Sequence, residues 1–132
     1  MHILLVEDST SHAGLFRYAL EDLGIEKKVL LTWAKNTEEA RAYLEEISFD
    51  LMIVDIGIPG ENGIDFTRFV KKGIYAPIPV LILSMSQSQK DIIFAYEAGA
   101  NAYLYKPSDF DNFLNELSQA IRYFSDISPL IS

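Results

Sequence analysis

The sequence predicts an α/β fold, an open five-stranded parallel sheet with helices on both faces. Short apolar runs recur five times along the 132 residues, and segments with helical spacing separate them. Most of these runs are continuously apolar rather than alternating, which is typical of strands covered on both faces, as in a parallel sheet. The regular alternation of strand and helix therefore predicts five successive βα units.

The five predicted strands are short, and they end beside polar or charged residues. They cover Ile3–Val6, Val29–Ala34, Leu51–Val54, Val80–Leu83 and Ala102–Tyr105. A common order for five parallel strands with helices on both faces is 2-1-3-4-5, which makes strands 1 and 3 neighbours at the topological switch point.

The first two predicted helices follow strands 1 and 2. Gly24 predicts the end of the first helix, whose apolar stripe consists of Ala13, Phe16, Leu20 and Leu23. Asn36 and Glu39 have the spacing of a capping box at the start of the second helix. That helix continues through the apolar positions Ala40, Tyr43, Leu44 and Ile47.

The last three helices are predicted from residues that favour helix ends or from stripes of apolar residues. The third covers Gly63–Lys72 and stops at Gly73, and the fourth covers Ser88–Ala98 and stops at Gly99. Ser108 predicts the start of the fifth helix, whose stripe consists of Phe110, Phe113, Leu114, Leu117, Ile121 and Phe124.

Length, charge and cysteine content narrow the functional classes. The length fits one domain over residues 1–125 and a short tail over 126–132. A net charge of −8 argues against nucleic acid or an anionic membrane as a partner. There is no cysteine for a thiolate metal site, and the first apolar stretch is too short for a signal peptide. We therefore expect a cytoplasmic protein.

Three carboxylates are predicted to meet at one edge of the sheet. Glu7 and Asp8 follow strand 1, and Asp55 follows strand 3. Because ligands of open α/β sheets bind beyond the carboxyl ends of the strands, these acids should share one crevice. Oxygen ligands of this kind suit a hard cation, so we expect Mg²⁺, with Mn²⁺ as an alternative.

Two further strand ends add a hydroxyl and a cation. Ser84 ends strand 4, and Lys106 follows strand 5. A metal, a lysine and a hydroxyl can together neutralise charge on transferring phosphoryl oxygens. An aspartate such as Asp55 can act as the nucleophile and become an aspartyl phosphate. The set predicts phosphoryl-transfer chemistry.

Four segments in order resemble a two-component response regulator receiver domain, which has a flavodoxin-like fold. They read LLVEDS, DLMIVDIGIPGENG, VLILSMS and AGANAYLYKP, and the similarity extends from Ile3 to about Phe124. The resemblance implies that Asp55 is the phosphoacceptor and that Asp8 binds the metal directly. Glu7 would hold the metal through water, and the backbone carbonyl of Gly57 would be a further ligand.

The same resemblance implies a conformational switch. Ser84 corresponds to the hydroxyl that moves toward the phosphoryl group, and Tyr103 to the aromatic ring that turns inward. Lys106 corresponds to the phosphate-pairing lysine, and its bond to Pro107 is typically cis in this family. Apart from the resemblance, His2 and His12 are expected to be surface or strand-edge residues without a ligand role.

The resemblance also implies partners and an output. The chain's proportions are similar to those of stand-alone regulators that serve cyanobacterial phytochromes. The donor would be a sensor histidine kinase, such as a phytochrome, or a phosphotransfer protein. The face formed by helix 4, strand 5 and helix 5 would signal to an output target or to a second copy in a homodimer. Such a switch is not a turnover enzyme.

Three other functions fit the sequence less well. A degenerate receiver would only bind proteins, but the full set of acids, hydroxyl and lysine argues against it. A phosphatase of the haloacid dehalogenase type needs a second aspartate where this chain has Gly57. In a flavin binder of the flavodoxin type, the acids of VEDSTSHAG would repel the phosphate of the cofactor.

Overall fold

The computed structural model describes residues 1–22, 29–106 and 109–127, in which strands and helices alternate. The strands are β1 (His2–Val6), β2 (Leu30–Ala34), β3 (Leu51–Asp55), β4 (Val80–Ser84) and β5 (Ala102–Tyr105). The helices are α1 (Thr10–Asp22), α2 (Thr37–Glu46), α3 (Gly63–Lys72), α4 (Gln89–Glu97) and α5 (Phe110–Ile127). Each strand agrees with its predicted range to within one residue at either end.

The sheet has the predicted strand order and is parallel throughout. The order is β2-β1-β3-β4-β5, so the flavodoxin-like arrangement is confirmed. Val6 at the end of β1 lies between Ala34 of β2 and Val54 of β3. The residues that follow β1 and β3 therefore emerge side by side at one edge of the sheet.

Two separate apolar clusters cover the two faces of the sheet. Alternate residues of β1 enter different clusters: Leu4 and Val6 belong to one, and Ile3 and Leu5 to the other. Helices α2, α3 and α4 cover the first face with Leu44, Phe66, Val70 and Ala95. Helices α1 and α5 cover the second face with Phe16, Leu20, Phe113, Leu117 and Ile121. The cover on both faces explains why most of the strands are continuously apolar.

The helix ends follow the sequence signals closely. Asn36 Oδ1 accepts from the Glu39 backbone N–H at 2.8 Å, which confirms the predicted N-cap of α2. The Glu39 carboxylate accepts from the Lys35 N–H rather than from the Asn36 N–H, so the second half of the capping box is shifted by one residue. After α4, Gly99 adopts a φ of +106°, a left-handed conformation that glycine tolerates best.

Some predicted boundaries fall outside the described residues. These are the end of the first helix at Leu23 and Gly24, the Lys106–Pro107 bond and the helix start at Ser108. Helix α5 extends to Ile127 and so includes the first two residues assigned to the tail. Within the described ranges, no helix combines the length and the apolar character that a membrane crossing requires.

Truncating a leucine of the second cluster tests this packing. Leu117 is fully buried between α5 and the sheet, so Leu117→Ala should lower the free energy of unfolding by about 2–5 kcal/mol. Leu15→Ala is the matched control, because Leu15 is also helical but 38% exposed, and it should cost less than about 1 kcal/mol. Urea unfolding followed by circular dichroism measures both values. Equal losses would contradict the described core.

Candidate functional site

Four strand ends converge at the carboxyl edge of the sheet. Glu7 directly follows β1, Asp55 ends β3, Ser84 ends β4, and Lys106 directly follows β5. The Lys106 N–H donates to the Ser84 carbonyl at 2.7 Å, which holds the lysine beside β4. The parallel order therefore brings together residues that lie up to 99 positions apart in the chain.

The Lys106 ammonium lies between two carboxylates. Its Nζ donates to Glu7 Oε2 at 3.0 Å and to Asp55 Oδ2 at 3.3 Å. The lysine and Glu7 side chains are 8% and 2% exposed, so water screens their interaction weakly. Without this cation the two acids would face each other at close range, which would be unfavourable while both are ionised.

Glu7 is fixed from several sides. Its backbone N–H donates to Ala34, and its carbonyl accepts from Trp33 Nε1 at 2.6 Å. Burial, and after it the negative charge of Asp55, raise the pKa of the Glu7 carboxyl above its ordinary value of 4.5. The nearby Lys106 acts in the opposite direction, toward the ionised form.

Asp55 presents its two oxygens to different partners. Oδ1 accepts from the Gly57 N–H at 3.1 Å, whereas Oδ2 faces Lys106. The aspartate side chain is 15% exposed, so part of it remains in contact with solvent. Gly57 is exposed, and a Cβ placed there would lie 3.9 Å from Asp55 Oδ1, an ordinary contact distance. The predicted phosphoacceptor is therefore partly shielded but approachable.

The structure separates the two neighbouring acids at the end of β1. Glu7 turns into the site, whereas Asp8, the predicted direct metal ligand, is exposed. Among the described residues, the group with potential ligand atoms within 4.8 Å of one another consists of Glu7, His12 and Asp55. Two carboxylates at this spacing fit a divalent cation, so the donor set is compatible with the expected Mg²⁺ or Mn²⁺.

His12 is the residue that the sequence interpretation missed. Its 40% exposed side chain agrees with the expected surface position, and its Nδ1 also lies 3.0 Å from Lys106 Nζ and 3.4 Å from Glu7 Oε1. The sequence position of His12 could have indicated this proximity. His12 lies in the first turn of α1, which begins soon after β1 at the same edge of the sheet.

Ser84 and Tyr103 meet at the loop between β4 and α4. Ser84 is buried, and its Oγ accepts from the Ser86 N–H at 3.0 Å. The Tyr103 hydroxyl donates to the Ser86 carbonyl at 2.9 Å. The Ser86 hydroxyl donates to Asp91 in the first turn of α4 at 2.6 Å. One loop residue thus joins both predicted switch residues to α4.

The raised pKa of Glu7 predicts that the stability difference between wild type and Glu7→Gln depends on pH. Since folded Glu7 holds its proton more tightly than unfolded Glu7, its contribution to stability is greatest below pH 4.5 and is lost as pH rises through the folded-state pKa. The unfolding free energy of wild type minus that of Glu7→Gln should therefore decrease between about pH 4 and pH 8.

Urea unfolding at each pH measures this difference. Glu45→Gln, which alters an exposed acid of α2, is the matched control and should give a nearly constant difference. A Glu7→Gln difference that is equally constant would show that the Glu7 proton is not bound more tightly in the folded protein.

Comparison with solved structures finds the same fold. The phosphorylated cyanobacterial phytochrome response regulator RcpA superimposes with a TM-score of 0.87 at 24% identity, covering 96% of this chain and 95% of that chain. The Mn²⁺-bound form of response regulator Rcp1 gives 0.80 at 27% identity, covering 93% and 92%. The expected similarity to regulators of the cyanobacterial phytochrome type is confirmed as a similarity of fold.

Sequence comparison gives the family. The KDP operon transcriptional regulatory protein KdpE of Escherichia coli is 32% identical over 124 residues, which are 94% of this chain and 52% of KdpE. The chain spans about half the length of KdpE and of other curated relatives that it matches. A family model described as the response regulator receiver domain matches residues 3–118. With its strand order and the residues at its sheet edge, the chain therefore belongs to the response regulator receiver domain family.

Proposed function

We propose that the chain is a phosphorylation-dependent switch that accepts a phosphoryl group on Asp55 from a sensor histidine kinase. The observation that carries the proposal is the buried Lys106 ammonium, which contacts both Asp55 and Glu7 at the carboxyl edge of the sheet. A cation held there can meet the negative charge of an incoming phosphoryl group without a large rearrangement.

In the proposed reaction, an Asp55 carboxylate oxygen attacks phosphorus, and the P–N bond to the histidine of the donor breaks. The electron pair of that bond leaves with the imidazole, which takes up a proton, and Asp55 becomes an acyl phosphate. Lys106 would pair with a phosphoryl oxygen while the charge redistributes. Glu7 and Asp55, with Asp8 and the Gly57 carbonyl as further expected ligands, would hold Mg²⁺, which neutralises phosphoryl charge when bound.

The same contacts suggest how the signal leaves the site. Ser84 Oγ now accepts from the Ser86 N–H, and it would lose that bond on turning toward a phosphoryl oxygen. Ser86 also contacts Tyr103 and Asp91, so a shift of its loop would reach β5 and α4. Phosphorylation would then change the populations of two arrangements of this loop.

The face formed by α4, β5 and α5 is the proposed output surface. Large side chains are exposed on each of its three elements, namely Tyr96, Tyr105 and Tyr123. A second copy in a homodimer, or an output target, would bind to this surface. The proposed setting is the cytoplasm, and the proposed phosphoryl donor is a phytochrome or a phosphotransfer protein. The second candidate, a degenerate receiver that only binds proteins, differs in predicting no phosphorylation.

Intact mass spectrometry tests the central step. The protein incubated with Mg²⁺ and acetyl phosphate, a small acyl-phosphate donor, should gain the mass of one phosphoryl group. Asp55→Asn should gain none, because an amide is a poor nucleophile. Asp22→Asn, at the far end of α1, is the matched control and should behave as wild type. Labelling of Asp55→Asn, or no labelling of wild type, would refute the proposal.

A larger side chain in place of Gly57 should lengthen the lifetime of the phosphorylated state. Its φ is not left-handed and a Cβ meets only Asp55 Oδ1 at 3.9 Å, so a side chain fits there and would hinder water near the acyl phosphate. Gly57→Met should lengthen the phosphoryl lifetime about threefold, which corresponds to less than about 1 kcal/mol in the hydrolysis barrier.

The decay of the added mass after removal of the donor gives the lifetime. Gly14→Met is the matched control, because Gly14 is exposed in α1 and a Cβ there has no neighbour within 4 Å. An unchanged lifetime in Gly57→Met would show that this position does not control the access of water.

A further inference from the structure

We propose that His12 is a positioning residue for Lys106 in the phosphoryl transfer. Its Nδ1 accepts one N–H of the Lys106 ammonium. Together with Glu7, it holds that ammonium in place while another N–H passes from Asp55 to a phosphoryl oxygen. The inference rests on the proposed function and adds a residue that the proposed function does not use. His12 acts through Lys106 and needs no contact with the phosphoryl group or with a metal ion.

The number of donors on Lys106 matches the number of acceptors around it. An ammonium has three N–H groups and no acceptor. Two of them meet carboxylates, at 3.0 Å for Glu7 Oε2 and at 3.3 Å for Asp55 Oδ2. The third meets His12 Nδ1 at 3.0 Å. Because the lysine side chain is only 8% exposed, water replaces a lost acceptor poorly, so each of the three contacts matters.

The contact with Lys106 defines the state of the imidazole. Since the ammonium can only donate, His12 Nδ1 is the acceptor, and the ring proton lies on Nε2. The neutral ring orients the ammonium without changing the net charge of the site. Nδ1 also lies 3.4 Å from Glu7 Oε1, but a neutral ring forms no ion pair with that carboxylate. Glu7 Oε1 accepts instead from the Ser9 N–H at 3.2 Å.

Ser9 connects His12 to Glu7 through hydrogen bonds. Its N–H donates to Glu7 Oε1, and its Oγ accepts from the His12 N–H at 3.2 Å. Its carbonyl accepts from the Ala13 N–H at 3.0 Å. The first turn of α1 is thus bonded to the acid that follows β1. The His12 side chain, although 40% exposed, therefore extends toward Lys106 from a defined backbone position.

Phosphoryl transfer changes the partner of only one N–H. As Asp55 becomes an acyl phosphate, its carboxylate loses its charge and becomes a weaker acceptor, whereas the phosphoryl oxygens are charged. The N–H that contacts Asp55 at 3.3 Å, the longest of the three contacts, therefore passes to a phosphoryl oxygen. Glu7 and His12 keep the other two at 3.0 Å. Two retained contacts define the Nζ position better than one, and a displaced cation neutralises the developing charge less well.

Nuclear magnetic resonance of the imidazole nitrogens tests the contact itself. Protein with isotopically labelled histidine is measured at about pH 8, at which an ordinary imidazole is neutral. The chain has two histidines, and His2→Asn identifies the signals of His12. His12 should have an unprotonated Nδ1 and a protonated Nε2, and Lys106→Met should shift the Nδ1 resonance. A proton on Nδ1, or an Nδ1 resonance that is unchanged in Lys106→Met, would overturn the inference.

The rate of phosphorylation tests the consequence of the contact. The protein is incubated with acetyl phosphate and Mg²⁺, and intact mass follows the gain of one phosphoryl group over time. His12→Ala should react at least about fivefold more slowly than wild type. His12→Asn should stay within about twofold of wild type, because its Oδ1 takes the place of Nδ1 and also accepts. Ser11→Ala, which changes an exposed residue of the same helical turn, is the matched control and should react as wild type.

A double variant distinguishes positioning from a structural role. Lys106→Met has no ammonium to hold, so the addition of His12→Ala should change its residual rate by less than about twofold. A further loss as large as that in the wild-type background would show that His12 supports the site independently of Lys106, and it would refute the inference. A His12→Ala rate equal to or above that of wild type would also refute it, as would a His12→Asn rate as slow as that of His12→Ala.

These outcomes differ from a failure of the proposed function. If wild type gains no phosphoryl mass, both proposals fail. If wild type gains it and Asp55→Asn does not, the proposed function stands, and the His12 variants test the inference alone.

Discussion

The buried ammonium of Lys106 is the contact on which the site depends. It neutralises Glu7 and Asp55, which come from adjacent parallel strands and would otherwise repel each other in a region of weak screening. The strand order makes the contact possible, because β1 and β3 are neighbours and Lys106 reaches across from beyond β5. The lysine thus connects the electrostatics of the site to the topology of the sheet.

The sequence predicted the sheet well because its signals are strong at that level. Most of the strands carry continuous apolar runs, which indicate that both faces of the sheet are covered. Asn36 and Gly99 mark helix ends by their own backbone preferences. The sequence could not predict that Glu7, rather than Asp8, would be the buried acid. Successive side chains of an extended segment point to opposite sides, and the choice depends on tertiary contacts such as the bond from Trp33.

The roles of individual loop residues could not be predicted from the sequence either. Ser86 was recognisable only as a small residue after β4, yet its backbone and hydroxyl contact Ser84, Tyr103 and Asp91. The contacts of His12 could not be predicted for a similar reason, because a single histidine in the first turn of a helix is common on protein surfaces. Both assignments depend on side-chain directions that are set by the packing of neighbouring elements.

The position of Trp33 has a kinetic consequence. The indole donates to the Glu7 carbonyl from β2, at one border of the sheet, whereas Tyr103 lies on β5 at the opposite border. The fluorescence of Trp33 should therefore change when an ion or a phosphoryl group binds near Glu7. It should change little when the loop and helix α4 rearrange. A probe attached near α4 would report the later event, so that comparison of the two time courses separates chemistry from transmission.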